Sequence, residues 1–98
     1  MNIQQEDIGN TGRFFIKENN KTLAEMDYQL TAKGALNIIH TEVDESLAGK
    51  GIGKQLVSAA VDYARLHSMQ VMATCPFAKK VLDRTPEFAD VYITEKET

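Results

Sequence analysis

Apolar and polar residues alternate through residues 22–31, with Leu23, Glu25, Asp27 and Gln29 standing opposite Ala24, Met26, Tyr28 and Leu30. A period of two places each set on its own face of a strand, so the segment predicts a half-buried β-strand. Arg13-Phe14-Phe15-Ile16-Lys17 predicts a strand before it, and Ala35-Leu36-Asn37-Ile38-Ile39-His40-Thr41-Glu42-Val43 a third after it. The polar stretch Glu18-Asn19-Asn20-Lys21 and the pair Lys33-Gly34 carry turn chemistry between them. Connections this short make an antiparallel meander.

The period then changes. Ile52, Leu56, Val57, Ala60, Val61 and Ala64 recur at three- and four-residue spacing, while Lys54, Gln55, Ser58, Asp62 and Arg65 fall between them. That pattern predicts one amphipathic helix over about 51–67. A short buried strand follows at 70–74. A strand–helix–strand order requires a crossover, so the strands flanking the helix are expected to be parallel neighbours. Cys75-Pro76 opens a second, shorter helix through about residue 83, since proline suits a first helical position. Thr85-Pro86 ends it. Residues 87–92 read as a helical turn or a terminal strand. The fold class expected is α+β: a mixed, mainly antiparallel sheet, one long helix after the central strand, and a short C-terminal helix.

Composition narrows the setting. Ninety-eight residues, 43% apolar and 26% charged, suit one domain over 1–98 with a modest core. A net charge of −3 argues against a nucleic-acid partner. The single cysteine excludes an internal disulfide and fits a reducing compartment, so a cytoplasmic location is expected. The start of the chain has no basic cluster or apolar core of a signal peptide, and no apolar run approaches the ~18–20 residues of a membrane span. Asn20-Lys21-Thr22 matches a glycosylation sequon but reads more simply as a turn. No metal site is expected, and the chain is expected to be a monomer or a weak dimer.

The densest chemistry lies in Leu47-Ala48-Gly49-Lys50-Gly51-Ile52-Gly53-Lys54-Gln55-Leu56, where the third strand gives way to the helix. Glycines let a backbone approach a ligand closely, and a helix start offers unpaired N–H groups with a partial positive charge. Together these make a phosphate site; a plain flexible connection is the alternative. The run is not a P-loop, because Ala48 holds the first glycine position and Gln55 follows Lys54. Nor is it a dinucleotide fingerprint, whose third glycine would fall on Lys54.

This order of elements, with Gly51-x-Gly53 at the helix start, resembles the GNAT acetyltransferase superfamily. Its signature, (Arg/Gln)-x-x-Gly-x-(Gly/Ala), holds the pyrophosphate of acetyl-CoA on backbone amides. Ala48 stands where Arg or Gln is expected, which removes one side chain and leaves the backbone donors. A narrower resemblance is to the small single-domain GNAT-like proteins of bacteria and plants. It rests on His40-Thr41-Glu42-Val43, on Gly49-Lys50-Gly51-Ile52-Gly53-Lys54-Gln55-Leu56-Val57, and on Cys75-Pro76-Phe77-Ala78 with Thr85-Pro86-Glu87-Phe88-Ala89-Asp90-Val91. It covers about residues 12–93. Proteins of this group lack the first two helices of full-length GNAT enzymes, which usually shape the acceptor site.

The resemblance implies acetyl-CoA as the donor and an amine, small or a protein lysine, as the acceptor. It implies that Ile39, His40 and Thr41 contact the pantetheine arm through their backbone. Gly49, Lys50, Gly51, Ile52, Gly53 and Lys54 would hold the pyrophosphate. The tyrosine that many GNAT enzymes use as general acid has no counterpart among residues 77–83. Cys75, at a strand end and a helix start, is a candidate nucleophile or proton carrier, because that position favours a thiolate; an inert, buried cysteine is the alternative. His40 and Glu42, expected on one strand face with Leu36 and Ile38, are candidate general bases; packing or solvated roles are the alternative. His67 fits a favourable charge at a helix C-terminus. Phe77, Phe88 and Tyr92 are expected in the core. Three functions follow: an acetyl-CoA-dependent N-acetyltransferase, a CoA-thioester-binding regulatory module with little catalysis, or an unrelated nucleotide binder that prefers ATP.

Overall fold

The structure is a computed structural model and describes residues 2–93. Five strands form one sheet in the order β1-β2-β3-β4-β5: β1 Gln4–Ile8, β2 Thr11–Glu18, β3 Lys21–Leu30, β4 Ala35–Val43 and β5 Gln70–Ala73. The first four are antiparallel and β4 pairs with β5 in parallel, as the crossover requires. The crossover helix is α1, Ile52–Leu66, and the shorter helix is α2, Pro76–Arg84. Asn19 and Asn20 both take left-handed conformations, the geometry a two-residue hairpin between β2 and β3 needs.

Helix α1 lies across one face of the sheet. Leu56, Val57, Ala60, Val61 and Ala64 are fully buried there, against Met26, Leu36, Ile38 and Val71. The two alanines let the helix approach the sheet closely, and α2 adds Ala78 and Leu82 to the same core. Arg65 ties the end of α1 to the C-terminal segment: its Nε and Nη2 reach both Asp90 oxygens at 3.0 and 2.7 Å, and Nη2 also donates to Glu87 O.

Sequence patterning places the long helix and β2 to β5 within a few residues. Strand β1 carries no pattern to read. All five of its residues are exposed, so no apolar alternation marks it, and its place comes from backbone pairing with β2. Residues 86–93 combine both expectations for this end. A 3-10 turn, Pro86–Phe88, is followed by a single parallel bridge from Tyr92 to Val71 rather than a strand. Phe88 and Tyr92 join the core, but Phe77 is 44% exposed. Its ring lies over Gly53 instead, because α2 turns Ala78 and Leu82 inward and leaves Phe77 at the groove beside α1. His67 caps α1, exposed and against the Tyr63 ring. Among the described residues, no helix is long and apolar enough to cross a membrane.

Candidate functional site

Two irregularities in β4 create the site. The first is a fork. Strands β4 and β5 pair from Ala35↔Gln70 to Ile38↔Ala73 and then part. Ile38 O accepts the last shared bonds, from Thr74 N at 3.0 Å and Cys75 N at 3.1 Å. Beyond it, residues 39–43 of β4 run on without β5 beside them.

The second irregularity is a β-bulge. Asp27 pairs with His40 and Tyr28 with Ile38, so Ile39 is an extra residue in β4. A bulge offsets every side chain beyond it. His40 and Glu42 therefore do not share a face with Leu36 and Ile38, as the unbroken alternation predicts. They stand on the opposite face, with Glu25 and Asp27, while Thr41 turns to the helix side with Met26. His40 and Glu42 lie 3.7 Å apart, and both side chains are mostly exposed. A pair so exposed contributes at most about 1 kcal/mol.

The glycine loop sits beside the fork. Asp44 opens a 3-10 turn, Glu45–Leu47, by accepting from Ser46 N at 3.0 Å and Ser46 Oγ at 2.6 Å. Gly49 and Gly51 follow with φ of 78° and 70°. Nothing stands near the Cβ either would carry. Backbone conformation, then, is what demands glycine at both positions. Gly51 is the N-cap of α1 and brings no side-chain acceptor, so the first-turn N–H groups of Ile52, Gly53 and Lys54 have no side-chain cap. Lys50 and Lys54 are exposed around them, whereas the Ile52 side chain is buried and offers only its backbone. Gly53 differs from its neighbours: a Cβ there would overlap the Phe77 ring. A cleft of about 360 Å³ runs along this loop, lined by Val43, Leu47, Gly49, Gly51, Lys54 and Phe77 among others.

Cys75 is the N-cap of α2 and only 7% exposed. Its Sγ lies 3.6 Å from Thr41 Oγ1, across the fork. The structure thus brings Cys75 and Thr41 together near the loop and sets His40 and Glu42 apart from them.

In the sequence pattern Glu25 and Asp27 are only the polar half of a strand and Arg13 only part of one. On the face away from α1 they form a linked group. Arg13 Nε donates to Glu6 Oε1 at 2.7 Å and Nη1 to Glu25 Oε1 at 2.6 Å, with its guanidinium 4.1 Å from the Phe15 ring centre. Glu25 is hydrogen-bonded to Asp27, which holds its carboxyl below the usual range, with help from Arg13. Asp27 moves the other way, pushed up to about 6 by burial and then by the bond to, and charge of, Glu25. The available signal was the i, i+2 placement of two carboxylates in an alternating strand.

A sheet that forks beside a glycine-led helix start, with a parallel crossover, is a GNAT-like α+β fold. The family described as GCN5-related N-acetyl-transferase matches residues 13–91, and the chain belongs to it. A GCN5-like protein from Staphylococcus aureus, solved in solution, is 35% identical with a TM-score of 0.71, covering 93% of this chain and 88% of that one. A ribosomal-protein-alanine N-acetyltransferase from Brucella melitensis biovar Abortus shares the fold at 17% identity and a TM-score of 0.64, over 79% of this chain and 62% of its own. Protein NATD1 from Xenopus tropicalis is 30% identical over 59 residues, 60% of this chain and 54% of that protein. The human protein of the same name is also 30% identical over 59 residues, 60% of this chain and 52% of that protein. The chain spans about half the length of these curated relatives.

Proposed function

We propose that the chain binds acetyl-CoA along the fork and the glycine loop and transfers the acetyl group to an amine. The observation that carries this is the pairing of an uncapped helix start with an open strand edge. The N–H groups of the first turn of α1, with Lys50 and Lys54 at the rim, suit a pyrophosphate. The β4 edge at Ile39, His40 and Thr41 suits the amide groups of a pantetheine arm, which would lie as a further strand. The open space at Gly49 and Gly51 admits a ligand against the backbone.

Cys75 is the proposed first acceptor. Its sulfur would attack the thioester carbonyl, the bond to the CoA sulfur would break, and CoA thiolate would leave. The amine nitrogen would then form the C–N bond as the bond to the Cys75 sulfur breaks, the electron pair returning to sulfur and the nitrogen's proton passing to solvent. Thr41 Oγ1 lies where it can orient the Cys75 sulfur. A second reading, binding with little transfer, draws on the 7% exposure of Cys75.

Thermal unfolding with acetyl-CoA, CoA and ATP in parallel tests the reading. A ligand at about 100 times its Kd adds about 2.7 kcal/mol, which is roughly ten degrees or more for a domain of this size. Both CoA species should give that shift and ATP should not. Mass spectrometry after mixing with acetyl-CoA should find one acetyl group on the wild type and none on Cys75→Ala. A shift without any acetyl transfer selects the binding module; the absence of a shift sinks both readings.

A further inference from the structure

Glycine at position 53 has a different cause from glycine at 49 and 51. Gly53 is the second residue of α1 and keeps ordinary helical backbone, whereas Gly49 and Gly51 are left-handed. Alanine could take the Gly53 backbone without strain. What excludes it is a neighbour: a Cβ there would overlap Cζ and Cε2 of Phe77, the far edge of the ring. No atom stands near the Cβ positions of Gly49 and Gly51.

Phe77 lies in the first turn of α2, two residues beyond Cys75, and Val81 follows one turn later on the same side. Both line the cleft of about 360 Å³ along the glycine loop, together with Val43 and Leu47. The core side of α2 is filled by Ala78 and Leu82. The Phe77 ring therefore has two places to go: seated with its edge on Gly53, or swung out across the cleft. Seated, it is still 44% exposed, so much of the ring remains bare for a ligand to cover.

We propose that Gly53 and Phe77 act as a pair that sets the aperture of the donor cleft. The missing Cβ at Gly53 seats the ring against α1. The seated ring keeps the cleft open and gives the arm of the donor, between its thioester and its pyrophosphate, an apolar wall. The inference rests on the acetyl-CoA reading above. Phe77 is a positioning residue for the donor, and Gly53 acts on the donor through Phe77 rather than by ceding its own space to it. A Cβ at Gly53 would move the ring into the path of the arm, and removing the ring would cancel that effect.

The test is a double-mutant cycle on the full chain, with Gly53→Ala, Phe77→Ala and the two combined. Urea unfolding without ligand reads the pair itself. Gly53→Ala should lower the midpoint in the wild-type background. In the Phe77→Ala background it should not lower it, because alanine is the better helix former once the ring is gone. Calorimetric titration with CoA, which carries no acyl group to transfer, reads the aperture. Gly53→Ala should weaken CoA binding at least tenfold, and the same change added to Phe77→Ala should weaken it less than threefold further. A combined variant that binds as poorly as Gly53→Ala would show that glycine serves the ligand directly, and would overturn the pair. So would a Gly53→Ala protein that unfolds and binds CoA as the wild type does. A wild type that takes up no CoA refutes instead the reading on which the pair rests.

Discussion

The two faces of the sheet are built on different physics. The face under α1 is apolar and close-packed: Met26, Leu36, Ile38 and Val71 are all but inaccessible there. The other face is mixed: Ala35, Met72 and Ile93 form a small buried apolar cluster, and beyond it Arg13 bridges Glu6 and Glu25, with Asp27 and His40 beside them. Packing against a helix rewards shape and tolerates no vacancy. A layer of partly exposed charge contributes little to stability but sets proton affinities. The contrast divides the molecule into a face that holds the fold and a face whose charges shift one another's proton affinities.

Breaking the packed face should have the largest effect. Leu56→Ala opens a cavity in the centre of the core and should cost about 2–5 kcal/mol in urea unfolding. A loss well under 1 kcal/mol would mean that α1 is not the principal support of the sheet. The loop comes next. Gly51→Ala forces a Cβ into a left-handed position and should cost about 1–2 kcal/mol, with no clash to add, because the space around it is open. A measured cost above that range would show a contact at Gly51 as well as strain.

The smallest effect should come from the charged face, with the opposite sign. Folded Asp27 holds its proton up to about 6, while an unfolded aspartate releases it near 4. The folded state therefore binds more protons between those values, and this residue's contribution is lost as pH rises through them. Asp27→Asn should raise Tm above pH 6, and the gain should vanish toward pH 4. Parallel Tm profiles for the two proteins would remove the burial and Glu25 effects assigned to Asp27.

Legibility followed the same division. The core face could be read from Ala24, Met26, Tyr28 and the Ile52 to Ala64 spacing, since burial imposes a period on the residues it selects. The glycine loop was legible because left-handed backbone at Gly49 and Gly51 leaves a compositional trace. Strand β1 was not, since an edge strand held by backbone pairing needs no apolar side chain. The faces of His40 and Glu42 were misassigned because an extra residue at Ile39 reverses the alternation without leaving any mark in residue type. The Arg13–Glu25–Asp27 group depends on register between distant strands, which a single sequence does not display.

The edges of the sheet carry one last consequence. Exposed backbone edges invite strands from other molecules and seed aggregation. Here one flank, β1, is short and carries Glu6 and Asp7. The other, β5, is covered where Val71 N donates to Val91 O and Ile93 N donates to Val71 O. The open stretch at residues 39–43 begins inside a fork whose floor is closed by Ile38 O. On the proposed reading such a slot would discriminate by girth: too narrow for a second protein sheet, it would still take a thin, amide-bearing rod.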